Sequence, residues 1–299
     1  EIYTLSLHDA LPIYDCVLLS EVLKGLNPSL GKSYLDLTAG FGGHAEAILG
    51  VTRNYKDSVL IDRDEMAVEY LVRKFKRKIK IINTDFYSAV LQLIECGNTF
   101  DMILADFGVS SLQLNREDRG FAFLKAKPLD MRMDRRQELS AWMVVNKYDK
   151  RRLMDILVRF GEEKVGRARY LTQEIIHNRP IQTTKELAEI IARKSKWGRI
   201  HPATRVFQAI RIEVNKELEL IENTLPLIPR LLKPRGRVAM ITFHSLEDRL
   251  VKRYFRQVSE KGVEAELKIW NKKPITAEKM ELVINPRARS AKLRVAERS

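Results

Sequence analysis

The sequence predicts an α/β fold: an open, Rossmann-like sheet interrupted by a helical insertion. Three observations predict it. A short strand, Ser33 to Leu37, runs into the glycine-rich turn Gly40-Phe41-Gly42-Gly43-His44, and a helix opens at about Ala45. Three apolar runs carry an acid at their C-terminal end: Asp36, Asp62 and Asp106. In open α/β sheets that edge binds ligands. Between 113 and 202 the strand–helix alternation gives way to helical periodicity alone.

Val17 to Leu26 reads as a helix with Val17, Leu18, Val22 and Leu26 on one face, ended by Asn27-Pro28. After the glycine turn, a helix runs to about Val51 and a second strand, Val59-Leu60-Ile61-Asp62, follows. The next helix, about 65–76, ends in the charge run Arg73 to Lys78, which reads as a solvated helix end. Ile79 to Ile82 is a third strand, followed by Asp85-Phe86, and Asp101 to Asp106 is a fourth. Helical patterns cover about 138–146, 149–160, 162–178 and 183–195, the last opened by the capping box Thr183-x-x-Glu186. One long amphipathic helix is expected from Ala203 to about Ile228. Gly236 to Phe243 reads as a core strand, Leu246 to Val258 as a helix, and Ala265–Trp270 and Met280–Ile284 as two more strands. Residues 285–294 read as a basic tail. These elements divide the chain into a sheet-bearing domain (15–112 and 203–299) and a helical insertion domain (113–202).

The glycine turn and the acid-tipped second strand together point to an adenosine-containing cofactor, with the acid gripping ribose hydroxyls. The spacing Asp36-x-x-x-Gly40-x-Gly42-Gly43 departs from the G-x-G-x-x-G of nicotinamide sites. A pyrophosphate beside a carboxylate is disfavoured, whereas the sulfonium and ammonium of S-adenosylmethionine gain from nearby acids. The pattern leans towards methyl transfer. Phe86 stands where a ring can stack on adenine, with core packing as the equal alternative.

At 299 residues, 45% of them hydrophobic, the chain can bury a sizeable core and is not of disordered composition. No apolar run is long enough to span a bilayer. The net charge of +14 favours a polyanionic partner, most simply nucleic acid. The two cysteines, Cys16 and Cys96, have no metal or redox spacing, which fits a reduced cytoplasmic setting. The five histidines are scattered, with no metal-ligand cluster. The first residue is Glu, and residues 1–13 lack a basic start and a long apolar run. That reads as a fragment or a misassigned start rather than a secretory signal, and 1–14 stand apart from the fold argument.

Several stretches carry a family resemblance: Gly40-Phe41-Gly42-Gly43-His44; Asp106-Phe107-Gly108-Val109-Ser110-Ser111-x-Gln113-Leu114; Arg119-Gly120-Phe121 with Pro128 to Asp134; and Phe160-Gly161-Glu162-Glu163. Further on come His201-Pro202-Ala203-Thr204-Arg205-x-Phe207-Gln208-Ala209, Phe243 to Arg249, and Asn285 to Ser290. In these the chain resembles the bacterial ribosomal RNA small-subunit methyltransferase H family, which methylates N4 of a cytidine in 16S ribosomal RNA. The resemblance implies a class I S-adenosylmethionine-dependent methyltransferase sheet with an inserted helical domain. It also implies cofactor contacts at Gly42, Gly43, His44, Asp62, Phe86, Asp106 and Gln113. The expected partners are 16S rRNA and the small ribosomal subunit, with a second copy of the chain left open. The family's His before Val17-Leu18-Leu19 is Tyr14 here, in the segment set aside.

For such a reaction the cytosine amine is a weak nucleophile, and an acceptor that takes its proton would help. Asp106 is the first candidate, with pure cofactor binding as its alternative. His244 is the second, with helix capping or RNA contact as equal alternatives. Methylation at C5 of cytosine would need a cysteine nucleophile, and both cysteines lie outside every motif. Phe121, Phe123 and the arginines of 116–136 are expected to meet RNA, as is the basic tail. Two other classes stay open: a non-catalytic RNA-binding or ribosome-assembly protein on this fold, and a nicotinamide oxidoreductase, which the glycine spacing disfavours.

Overall fold

In the computed structural model the described residues are 16–109, 119–123, 125–193, 201–260 and 265–299. Among them, seven strands form one sheet in the order β3-β2-β1-β4-β5-β7-β6. They are β1 (Tyr34–Asp36), β2 (Val59–Asp62), β3 (Lys80–Asn83), β4 (Phe100–Asp106), β5 (Leu232–Thr242), β6 (Leu267–Ile269) and β7 (Lys292–Arg298). The strands from β3 to β5 run parallel, and β7 lies antiparallel between β5 and β6. The strand order reverses between β1 and β4, where such sheets open a crevice.

Neighbouring residues on each central strand serve opposite faces. Leu35, Ile61, Ile103, Ala105, Val238 and Met240 join the core on one side of the sheet. Tyr34, Leu60, Met102, Leu104, Ala239 and Ile241 join the core on the other. Both faces are covered by helices, so the strands read as apolar runs rather than as alternating ones. Of the covering helices, α1 (Leu19–Leu26) and α2 (Gly43–Thr52) pack on the face of Tyr34 and Ile241. Two more, α3 (Glu65–Lys74) and α4 (Phe86–Glu95), start on aspartate caps: Asp64 accepts from Met66 N and Asp85 from Ser88 N.

Four helices, α5 (Ala141–Lys147), α6 (Lys150–Arg159), α7 (Val165–His177) and α8 (Thr184–Ala192), build a separate core. The capping box at Thr183 and Glu186 is present. The next helix, α9 (Thr204–Asn215), contributes Val206, Phe207, Ala209, Ile210 and Val214 to that helical core.

Three expectations are corrected. The long helix from 203 is broken: Lys216 sits in the left-handed region at φ 51°, and α10 (Glu217–Thr224) starts anew. The break is fixed by Asn215, whose Oδ1 accepts from Met133 N at 2.8 Å and whose Nδ2 donates to the carbonyls of Met131 and Arg211 at 2.8 and 2.9 Å. After a short turn and α11 (Ile228–Leu231), the chain enters β5, and α12 (Ser245–Ser259) follows that strand.

The second correction is Met280–Ile284, which is not a strand but the helix α13 (Lys279–Ile284), with Met280, Val283 and Ile284 exposed. A short apolar run carries no period of its own. Glu281 anchors it by accepting from Leu18 N at 2.6 Å. Third, the basic tail continues into β7. Its charges hid the strand, and they are paired: Arg294 is buried against Asp248 at 2.7 Å, and Glu297 meets Arg237 at 2.8 Å.

Of the loop expected to meet RNA, Arg119 and Phe121 are internal, Arg135 and Arg136 are exposed, and Arg116 lies outside the described residues. Arg119 is 2% exposed, pairs with Asp64 at 2.9 Å and donates to the carbonyls of Arg132 and Met133. Phe121 belongs to the helical core, and Phe123 packs with ring centroids 4.8 Å from both His201 and Phe207. Phe121 is thus taken up by the core, whereas Phe123 is only half-buried. No helix of the described residues is long and apolar enough to cross a membrane.

Candidate active site

The C-terminal ends of β1, β2 and β4 open onto a cavity of about 660 Å³, within the usual size of a small-ligand site. Its floor is the glycine turn. Gly40 adopts φ 52° and a side chain there would meet nothing within 4 Å, so the backbone itself faces the cavity. Gly40 N–H donates to Asp62 Oδ2 at 2.8 Å, which ties the turn to the tip of β2. Gly43 opens α2, where the first backbone N–H groups have no helical partner.

The predicted residues separate into three groups. Gly43, His44, Asp62, Phe86 and Asp106 all line the cavity. Gly42 is not among the lining residues: at φ 70°, its missing side chain leaves room for Leu71 and Phe75, which a Cβ would meet at 2.8 and 2.9 Å. His244 lies just behind the wall, between the lining residues Phe243 and Glu247. Gln113 and residues 1–14 fall outside the described residues, as does the boundary at 112–113.

For Phe86 the packing alternative is seen, in a position that also borders the cavity. Its ring lines the cavity and also packs 5.7 Å from Phe107 at the edge of the sheet core. For His244 the capping alternative is seen: it caps α12 and its Nδ1 accepts from Glu247 N, while the Glu247 carboxylate accepts from Phe243 N at 2.7 Å and His244 N at 3.2 Å. Cys16, set outside the motifs by the sequence, stands on the glycine-turn wall, its Sγ 2.2 Å from where a Gly43 Cβ would lie.

The edge acids are in unlike environments. Asp36 is buried beneath the cavity, accepting from Tyr34 OH at 2.6 Å and Thr38 N at 3.1 Å. Burial raises it to about 7, against the pull of those two hydrogen bonds. Asp62 is raised to about 6 by burial, although the N–H groups of Asp64 and Gly40 favour its charge. Asp106 is raised well above the ordinary carboxylate range by burial first, then by the charges of Asp36 and Glu247. Its Oδ1 is buried with no hydrogen-bond partner among the described residues, and its backbone N–H donates to Thr38 Oγ1 at 2.6 Å. A buried acceptor left open at the centre of a ligand edge is an acceptor waiting for a donor.

Sequence reasoning missed the opposite wall. Arg211, from α9, and Glu217, from α10, form a bidentate pair, Nε to Oε1 and Nη2 to Oε2, both at 2.9 Å. Glu247 is fully buried; burial would raise it, but His244, Arg211 and the Phe243 N–H together hold it below the usual range. Glu217, His244 and Glu247 bring one ligand atom each within 4.8 Å of one another, although the sequence shows no metal cluster. The cationic Arg211 already occupies the Glu217 carboxylate there. A signal existed for Glu247 alone, in the His244-x-x-Glu247 spacing of a capping box.

S-adenosylmethionine fits these residues. The open Gly40 backbone permits close approach, Asp62 stands at the tip of β2 for ribose hydroxyls, Phe86 offers a ring, and Asp106 offers negative charge to a cationic centre. Such a ligand carries no phosphate that these acids would repel.

The family model described as the MraW methylase family matches residues 13–299. Among curated proteins, the chain is 44% identical over 289 residues to the "Ribosomal RNA small subunit methyltransferase H" of Trichodesmium erythraeum, covering 94% of this chain and 98% of that protein. It is 44% identical to the protein of the same name from Nostoc punctiforme, over 94% of this chain and 93% of the other. A third relative of that name, from Hydrogenobaculum, is 44% identical over 95% of this chain and 96% of its own length. With a cofactor edge of this geometry and a match across nearly its whole length, the chain belongs to the MraW methylase family.

Proposed function

We propose that this protein transfers a methyl group from S-adenosylmethionine to the exocyclic N4 of a cytidine in the 16S RNA of the small ribosomal subunit. The observation that carries the reading is Asp106 on the ligand edge, its Oδ1 without a partner among the described residues, in a chain whose relatives bear the name of an rRNA methyltransferase. The bound cofactor supplies the electrophilic methyl group. Gly40, Gly43 and Asp62 hold and orient it, and Phe86 covers one side. Asp106 accepts a hydrogen bond from the N4 amine, aligns it with the methyl carbon and takes the proton released on transfer. Its upward pKa makes it a stronger base than an ordinary carboxylate. His44 beside it stays neutral, because burial lowers it to about 4.

C5 chemistry is disfavoured. Cys96 is exposed at the end of α4, and Cys16 is packed on the glycine-turn wall. His244 is proposed as a positioning residue that fixes Glu247 rather than as the base. The division into 15–112 with 203–299 and 113–202 is kept as a proposal, although α9, which follows its boundary, packs in the helical core. A cytoplasmic setting follows from the proposed substrate. A homodimer is tested by sedimentation of the purified protein.

The test uses purified protein, labelled S-adenosylmethionine and small subunits from cells lacking this modification, followed by nucleoside analysis. N4-methylcytidine is expected, and it disappears with Asp106→Ala. Label in C5-methylcytidine or in no nucleoside overturns the reading.

A further inference from the structure

We propose that Arg211 is a specificity-determining residue that donates to the N3/O2 edge of the target cytosine, with Glu217 holding it in place. The inference rests on the proposed N4-cytidine activity and assigns the part of the base that Asp106 leaves unread.

A cytosine presents a donor at N4 and acceptors at N3 and O2. A pocket that selects it needs one acceptor and, beside it, one donor. Asp106 lines the cavity, and its Oδ1 has no partner among the described residues. Arg211 lines the same cavity. Its Nε and Nη2 are committed to Glu217 at 2.9 Å each, while Nη1 has no partner among the described residues. The bidentate pair fixes the guanidinium plane and leaves one N–H edge to offer.

Position agrees with chemistry. Asp62 and Phe86 follow β2 and β3, on one side of Asp106 at the tip of β4. On the other side is β5, followed by α12, whose Glu247 acts electrostatically on both Asp106 and Arg211. Arg211 thus shares a cavity wall with Glu247, whose charge reaches both it and Asp106. A base entering along that wall meets Asp106 with N4 and Arg211 with its acceptors. Uracil would turn its O4 acceptor towards the Asp106 carboxylate and be refused.

A cation at Glu217, His244 and Glu247 is the rival use of this cluster. The bidentate guanidinium, bonded to both oxygens of Glu217, meets that charge already.

The experiment uses the RNA segment that the wild-type enzyme methylates, made with cytidine or with 3-deazacytidine at the modified position. The latter replaces the N3 acceptor by C–H. Arg211→Met is expected to slow single-turnover methylation of the cytidine RNA about 10- to 100-fold, the size of one base-edge contact. On 3-deazacytidine RNA it should differ from wild type by less than about threefold, with cofactor affinity by calorimetry unchanged on the same scale. Glu217→Gln should show a smaller loss with the same dependence on N3. Equal losses on both RNAs, no loss on either, or loss of cofactor affinity in both variants overturns the proposal and leaves Arg211 a structural ion pair. Absence of N4-methylcytidine from the wild-type reaction would instead overturn the activity on which it rests.

Discussion

His44 Nδ1 lies 3.8 Å from Asp106 Oδ2, while its Nε2 lies 3.0 Å from the carbonyl oxygen of Val17. A carbonyl only accepts, so Nε2 carries the proton and the neutral ring turns its bare Nδ1 towards the carboxyl group. The imidazole therefore offers Asp106 no compensating charge at neutral pH. This leaves Asp106 raised, and it sets the first prediction. Methyl transfer should fall on acidification at a pH well above the ordinary carboxylate range, as Asp106 takes up its proton. Asp106→Asn should lower the single-turnover rate about 100- to 10,000-fold and abolish that acid limb. Cofactor affinity, measured by calorimetry, should change by less than about tenfold. A retained acid limb would assign the base elsewhere.

Asp36 makes the stability of the protein depend on pH in an uncommon direction. An unfolded carboxyl loses its proton near 3.8, and the folded Asp36 keeps it to about 7. Its contribution is thus fully present below 3.8 and is lost as pH rises through about 7. His44 works oppositely between about 4 and its unfolded 6.5, its contribution being lost as pH falls. Asp36→Asn should therefore gain melting temperature relative to wild type at pH 8 and gain less at pH 5. A constant difference across that range, by thermal melts without cofactor, would contradict the assignment.

Gly43 and Cys16 form a steric pair. A Cβ at Gly43 would lie 2.2 Å from Cys16 Sγ but 4.0 Å from Cys16 Cβ. Gly43→Ala should destabilise the protein by about 1–3 kcal/mol through overpacking and weaken cofactor binding. Adding Cys16→Ala should restore both. Failure of the second substitution to rescue would show that the backbone, not the thiol, sets the requirement for glycine.

Asn215 makes two hydrogen bonds from α9 to the loop that carries Met133 to the cavity, and a third back to the Arg211 carbonyl of its own helix. Asn215→Ala leaves the Met133 N–H and the Met131 carbonyl unmet, at a cost of about 2–4 kcal/mol. Denaturant unfolding reads this directly. A loss below about 0.5 kcal/mol would mean that the loop finds other partners.

Arg289 is exposed beside Arg287, which lines the cavity. Arg289→Glu should weaken binding of the 16S RNA segment and lower the slope of log affinity against log salt by about 1–2. An unchanged slope would remove this segment from the RNA contact. Arg119→Ala should act on stability instead, by about 3–5 kcal/mol, since it strips Asp64 of a buried partner.

The ligand edge was legible because backbone chemistry announces it. Glycines at 40–43 and acids at the ends of apolar runs mark strand ends whatever the rest of the chain does. The opposite wall was not legible. Arg211 and Glu217 look like ordinary charged positions on one amphipathic helix until the left-handed Lys216 turns the chain between them. Residues 292–298 were hidden for a related reason. Lys292, Arg294, Glu297 and Arg298 read as solvated, and only the distant Asp248 and Arg237 make such a strand tolerable inside a sheet. Partners far away in sequence leave no local trace.

The place of β7 between β5 and β6 has a consequence for synthesis. During translation β5 emerges with one neighbour, β4, and its other edge stays open until Lys292–Arg298 leaves the ribosome. Until then Val238 to Ile241 present an apolar strand edge, the kind of surface that nascent chains mispair through and holdase chaperones shield. Ribosomes stalled before residue 292 should therefore carry chains that are captured by such chaperones, even though the helical core encoded upstream is already complete.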